Sequence, residues 1–410
     1  MKLVINPHSA ELAELDEKTV KKIAQDMVNI AGKIPSLKES NIGEYGSYSV
    51  LIYYDIAGRQ LAKEIASLCA KKGCRVWYRV REMDMESLLA NELTERNLAR
   101  HLAFTDNEIF SADAVFMIRA PRDPSIFEKV PDAKMRVLSK AQKPILLDYR
   151  VNHTMWQLIY WPTPYEAKIE NMSYEDYVKL FFNACNQPWD KIELAQKILV
   201  DLLNKGKRLT LIANSKAPDK SKRTHLEMSI DGMEFANSTI DRNYPGSEVF
   251  SSPVRNSVNG QMFGEGKYLE EGRILEDIYF EVKEGKIINA TAEKGQEHLD
   301  NILNRDAGAR YFGEVALGTN PGIRQRLFNP LLNEKVGGSF HITPGKAYEM
   351  EEYQGKPVKV DNGNRSEIHW DITIMMLPGY GGGEVKVDDK TIQKDGKFTV
   401  KGLEVLNAGL

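Results

Sequence analysis

The hydrophobic period of this chain changes near its middle, and that change constrains the fold more than any other feature of the sequence. Before residue 186, short apolar runs alternate with helical stretches; beyond Leu209 the chain breaks into short alternating segments punctuated by Gly, Asn and Asp. In the first half, Ser49-Val50-Leu51-Ile52-Tyr53-Tyr54-Asp55 reads as a buried strand. The following GRQLAKEIASLCAKKG reads as a helix, with Leu61, Ile65, Leu68 and Cys69 on one face and Gly73 as its stop signal. Arg75–Val80 returns to strand character, and Ala114–Ile118, Pro144–Asp148 and Gln157–Trp161 are further strand candidates. Repeated strand, helix, strand predicts an open, largely parallel α/β sheet. Neither glycine-rich phosphate-binding motif follows any of these strands, so this half is expected to be a scaffold.

Two helices, Tyr174–Ala184 and Trp189–Asn204, precede the change of texture. After it come LTLIA, HLEMSID, DIYFEVKEGKIINATA, HWDITIMML and EVKVDDKTIQKDGKFTVKG, with one helix expected over Gly295–Asp306. Lys283-Glu284-Gly285-Lys286 and Lys394-Asp395-Gly396-Lys397 have the form of hairpin turns. A chain of 410 residues exceeds one compact core. The expected division is an α/β domain over 1–185 and a β-rich (α+β) domain over 186–410.

Hydrophobic residues make up 42% and charged residues 28%, as in soluble globular proteins, and the net charge of -3 offers no basic surplus for nucleic acid. Three cysteines, Cys69, Cys74 and Cys185, give no disulfide framework and favour a reducing compartment. The start turns acidic within a few residues, unlike a secretory signal. No uncharged apolar run approaches the ~20 residues of a membrane helix. A cytoplasmic protein without membrane or nucleic-acid partners is expected.

The chemistry-bearing residues lie in the second half. In a strand, residues two apart share a face, so His369 and Asp371 project together while Trp370 points away. An imidazole beside a carboxylate makes half a divalent-metal site, although a surface His–Asp pair is the simpler reading of these residues alone. His341 shares a face with Ser339, opposite Phe340 and Ile342, and alone reads as a core histidine. Glu248 follows a Pro245-Gly246 turn, and Glu314 sits in the otherwise apolar Gly313-Glu314-Val315-Ala316-Leu317. Burying such a carboxylate requires a compensating partner; an exposed strand end is the alternative. Together, two His, two Glu and one Asp match the donor chemistry of a co-catalytic metal pair.

The segments PGSEVF and GEVALG, His341 with Tyr348 seven residues later, and Ser366-x-x-His369-x-Asp371 resemble, in order and spacing, the aminopeptidase T / aminopeptidase S family of metallopeptidases. Asp306-Ala307-Gly308-Ala309-Arg310 and Gly363-Asn364-Arg365-Ser366 add to the likeness, which is looser in the N-terminal half. The resemblance implies that Glu248, Glu314, His341, His369 and Asp371 are metal ligands and Tyr348 a catalytic tyrosine. It implies two divalent ions per chain (zinc, cobalt or manganese) and release of N-terminal residues from short peptides with a free N-terminus. Glu314 is also the candidate proton carrier. A homodimer is implied, in which the N-terminal domain helps enclose the partner's active site.

Three departures accompany the likeness. Ser247 stands where the family usually has Gly, and His225 where a Thr-Asp-Leu strand carries its acid. Lys335, Val336, Gly337 and Gly338 stand where an acidic Asp-Glu-Asn segment is usual. These changes leave two alternatives: a metal-binding protein of the same fold with altered catalysis, or a metal-dependent hydrolase of a different amide. His225 with Glu227 reads as a pair of polar-face or pocket residues, not ligands; His8, His101, His153 and His298 read as surface or structural; Lys216–Arg223 reads as a solvated loop.

Overall fold

A computed structural model describes residues 16–31 and 48–410, apart from 128, 132, 136, 139–144, 146–148, 151–153, 217–218, 220–221 and 272. The chain divides into two compact units, Met1–Phe182 with Ile240–Tyr244, and Asn183–Thr239 with Pro245–Leu410.

The first unit is built on a five-stranded sheet. Strands β1 (Ser49–Asp55), β2 (Arg75–Arg81), β3 (Ala114–Arg119) and β4 (Met155–Tyr160) run in the order β2-β1-β3-β4, and Asn243–Tyr244 adds the last strand. All neighbours are parallel, as the alternating pattern predicts. Central β1 is buried at every position, which explains why its sequence is a continuous apolar run. Edge strand β2 is mostly exposed and accordingly carries three arginines in RVWYRVR. Helix α1 (Arg59–Lys71) forms the crossover between them and buries Leu61, Ala62, Ile65 and Cys69.

The strand candidate Pro144–Asp148 lies largely outside the described residues, as do His8 and His153 and part of the Lys216–Arg223 loop. The Asn243–Tyr244 strand comes from far along the chain, where local periodicity cannot announce it. Tyr244 is fully buried, and its hydroxyl donates to Asp26 Oδ2 at 2.9 Å, tying this strand to the helix Glu17–Ala31.

Besides the two-stranded ribbon of Glu352–Tyr353 and Lys356–Pro357, the second unit contains two larger antiparallel sheets. One has eight strands, in the order Lys286–Lys294, Arg273–Lys283, Asn259–Glu270, Thr224–Ser229, Arg208–Ala213, Gly383–Val387, Lys390–Lys394 and Lys397–Phe398. Its tight turns need positive φ: Glu284 and Gly285 stand at 50° and 80°, Asp395 and Gly396 at 48° and 82°. The other sheet comprises β5 (Ala236–Ser238), β6 (Glu248–Ser251), β7 (Phe312–Gly318), β8 (Ser339–Pro344) and β9 (Ile372–Met375), in the order β9-β8-β7-β6-β5. Strands β6 to β9 are buried at every position, so any charge on them is held inside the unit. Helix α2 (Trp189–Leu203) presents the buried Gln196, whose amide donates to the Glu248 carbonyl at 3.0 Å and the Thr319 hydroxyl at 2.9 Å. The Tyr268 hydroxyl donates to the Thr373 carbonyl at 3.0 Å, linking the two sheets. Among the described residues, no helix is long and apolar enough to cross a membrane.

Candidate metal centre

Three of the five candidate ligands stand on neighbouring strands of the smaller sheet. Glu248 opens β6, Glu314 lies in β7, and His341 lies in β8, paired across to Ala316. Ladder bonds on both sides set their spacing.

His369 and Asp371 were expected within a strand, and here the structure differs. Strand β9 begins only at Ile372; His369 makes an isolated bridge to Gly345 on the extended approach to it. Two backbone bonds hold this approach: Lys346 N donates to the Ile368 carbonyl at 2.7 Å and Trp370 N to the Pro344 carbonyl at 3.2 Å. Gly345 permits that contact through a φ of 109°, with no Cβ to meet the Ile368 carbonyl. The alternation survives, since Trp370 is buried while the His369 side chain keeps 29% exposure.

The five side chains converge as two three-residue groups that share Glu314. Glu248, Glu314 and His341 form one and Glu314, His369 and Asp371 the other, with the ligand atoms of each within 4.8 Å of one another. His341 Nε2 lies 3.5 Å from Glu314 Oε1 and 3.7 Å from Glu248 Oε2. His369 Nε2 lies 3.1 Å from Glu314 Oε2 and 3.5 Å from Asp371 Oδ1. His369 Nδ1 donates to the Lys346 carbonyl at 2.7 Å, which leaves Nε2 to face the carboxylates. Gly313 makes this brace possible: a Cβ there would stand 2.2 Å from the same carbonyl oxygen. The Thr343 hydroxyl orients the last ligand, donating to Asp371 Oδ1 at 2.5 Å.

Burial opposes charge on His341 and His369, but Glu314, Asp371 and, for His341, Glu248 outweigh it, raising the imidazoles to about 9 and about 10. Burial likewise opposes charge on Glu314, whose carboxyl the two histidines nonetheless hold far below the usual range. Such a site gathers protons that a divalent cation would displace. Burial and the surrounding carboxylates push the Tyr348 phenol well above its ordinary value, so it stays a hydrogen-bond donor. Its ring centroid is 5.3 Å from that of His369.

A cavity of about 120 Å³ opens on His369 and Asp371, lined also by Glu270, Asn333, Glu334, Tyr268, Phe328 and Trp370. Sequence reasoning missed Glu270 and Glu334, and marked Lys335 only as a departure without placing it at the centre. Burial, reinforced by neighbouring carboxylates, pushes the Glu270 and Glu334 carboxyls up to about 8. Lys335 is buried against the centre, its Nζ 2.5 Å from Glu248 Oε1 and 3.0 Å from Glu334 Oε2. The available signal was the charged Glu334-Lys335 pair inside the otherwise uncharged NPLLNEKVGG. Ser247 is accommodated: its buried hydroxyl hydrogen-bonds Thr319 Oγ1 at 2.8 Å. His225 and Glu227 lie exposed, 3.6 Å apart and apart from the metal-ligand groups, and His298 is buried with Nε2 3.0 Å from the Glu270 carbonyl.

Two histidines and three carboxylates, buried on the strands and partly exposed on the approach to β9, give the donor set of a divalent-metal protein, and comparison with known proteins narrows it. Residues 38–398 match the M29 family of thermophilic metalloproteases. The chain belongs to that family, the aminopeptidase T and S group its motifs resemble, and is a metalloaminopeptidase by that membership. It is 25% identical to Aminopeptidase 2 of Geobacillus stearothermophilus over 325 residues, 71% of this chain and 75% of that one. It is 34% identical to Aminopeptidase T of Thermus thermophilus over 165 residues, 38% of each chain. The solved structure of wild-type AmpT from Thermus thermophilus superposes with a TM-score of 0.69 over 94% of this chain and all of that one, at 20% identity. A 2,5-dihydroxypyridine dioxygenase from Pseudomonas putida KT2440 shares the fold at 12% identity, covering 95% of this chain and all of that one, with a TM-score of 0.54. One fold thus carries different chemistries, and the site must argue for the reaction.

Proposed function

We propose that this enzyme releases N-terminal residues from short peptides using two divalent ions, one held by Glu248, Glu314 and His341 and the other by Glu314, His369 and Asp371. The observation that carries the reading is the sharing of Glu314, whose two oxygens turn toward different histidines. The donors fit such ions. They are imidazole nitrogens and carboxylate oxygens, the set that zinc, cobalt and manganese accept. His341 and His369 both turn Nε2 toward these carboxylates, the nitrogen each would give to a metal. Bound there, the ions supply Lewis acidity to polarise a carbonyl and to make water a nucleophile near neutral pH.

The chain's own groups do the rest. Tyr348, kept protonated, donates to the oxygen that gains negative charge as the peptide carbonyl is attacked. Glu314, expected from sequence to carry the proton, would help hold both ions, since its oxygens face His341 and His369. Glu334, beside the centre on the cavity wall, takes that role toward the leaving amine. Glu270 on the same wall faces the substrate's free α-ammonium, whose positive charge would draw its raised carboxyl into the ionised form. Action in the cytoplasm is supported by the three free cysteines, and a homodimer by the family resemblance alone.

The test compares aminoacyl anilides and dipeptides with their N-acylated counterparts, before and after chelation and reloading with zinc, cobalt or manganese. Free-amine substrates should be cleaved, chelation should abolish turnover, and reloading should restore it. Equal cleavage of acylated substrates would favour a hydrolase of other amides. Retained metal without any turnover would favour a binding protein.

A further inference from the structure

We infer that the two halves of the centre are unequal, because Lys335 holds a fixed ammonium against Glu248 and weakens that half for its ion. The inference rests on the two-ion reading above. The Lys335 side chain is 1% exposed, and its Nζ is 2.5 Å from Glu248 Oε1. The opposite oxygen, Oε2, is the one that faces His341 at 3.7 Å. Glu248 therefore offers a metal one oxygen, already polarised by a neighbouring cation. An ion seated on it would repel that cation across a few ångströms, where little water screens the pair.

The other half lacks this burden. Asp371 is braced by the neutral Thr343 hydroxyl and His369 by the neutral Lys346 carbonyl. Lys335 is also fixed rather than mobile. It follows the short helix Pro330–Asn333, its backbone N donates to the Leu332 carbonyl at 3.2 Å, and its carbonyl accepts from Asn320 N at 2.9 Å. A second contact, 3.0 Å from Nζ to Glu334 Oε2, holds the ammonium in place. Swinging the ammonium away would strand it, buried, without its partner carboxylates. The chain thus carries an ammonium inside a centre whose Glu314/His369/Asp371 half loads first, while its Glu248 half loads only at higher metal concentration.

Equilibrium dialysis of metal-free protein against zinc or cobalt, with elemental analysis, reads both steps without reference to activity. The wild type should take one ion tightly and a second about 10- to 100-fold more weakly, the range that groups behind the ligands command. Lys335→Gln should tighten the second step by a similar factor and leave the first unchanged, while Lys335→Arg should keep the inequality. Asp371→Asn should remove the tight step. Two ions loading with one affinity in the wild type overturn the inference, as does a second step that Lys335→Gln leaves where it was. Should Lys335→Gln fail to fold, the wild type and Asp371→Asn decide: the ion that survives in Asp371→Asn must be the weaker one. A wild type that binds no ion at either step sinks the two-ion reading itself, a distinct result.

Discussion

The two halves of the centre are assembled by different means. Glu248 and His341 sit on strands buried at every position, where ladder bonds on both sides dictate their separation. His369 and Asp371 lie outside any strand, partly exposed, and depend on a carbonyl, a hydroxyl and two glycines. The contrast teaches that one site can draw precision from a sheet and access from a braced segment. The buried half brings order but also Lys335; the braced half faces the cavity.

Glu314 belongs to both halves, so its replacement should produce the largest effect. Glu314→Gln is expected to lose metal at both steps and activity by about a thousandfold or more, roughly 4 kcal/mol of transition-state stabilisation. Elemental analysis beside peptide turnover checks this; a variant with full metal content and full activity would falsify the proposed centre. The next effect should fall on chemistry alone. Tyr348→Phe removes the hydroxyl beside the braced half, and kcat should fall about 100- to 1,000-fold with metal content unchanged. A loss of bound metal would instead make Tyr348 a structural residue, packed on Phe250 at 5.3 Å between centroids.

Much of this contrast was legible in the sequence, and its limits have physical causes. The β1 strand appears over the residues its apolar run marks, and both hairpins turn where Glu284-Gly285 and Asp395-Gly396 mark them. The five ligand candidates converge because strand alternation is local and their order follows a known pattern. Nothing local, however, shows that Asn243–Tyr244 joins the distant parallel sheet, since its partner is β4. The His369 segment read as a strand because extended backbone and ladder strand share one sequence pattern; only partners distinguish them. Lys335 looked like a missing acid, whereas its burial between Glu248 and Glu334 depends on a fold that brings residue 335 beside residue 248.

The support of the braced half can be disturbed at Gly313, next to the shared Glu314 in β7. Gly313→Ala would place a Cβ 2.2 Å from the Lys346 carbonyl oxygen that holds His369. Overpacking of this kind typically destabilises by about 1–3 kcal/mol. The expected outcome is a lower melting temperature and loss of the first metal-loading step, with the Glu248 half retained. Loss of both steps together would show that the halves do not stand on separate supports.

The smallest expected effect lies farther back along the same brace. Asp306 Oδ2 accepts from Glu367 N at 2.6 Å and Ser366 Oγ at 2.9 Å, and Oδ1 from Gly308 N at 2.8 Å and Ala309 N at 2.9 Å. Partial burial works against its charge, yet these donors outweigh it and hold the carboxyl below its ordinary value. A lowered value in the folded state means that the stabilisation is present above the ordinary carboxyl range and fades as pH falls through the folded value. Asp306→Asn should therefore lower the melting temperature slightly at neutral pH and weaken the first metal step, leaving the second in place. The gap from wild type should narrow between about pH 5 and about pH 3. A gap that stays constant across that range would show that the carboxylate's charge is not what anchors the segment ahead of His369.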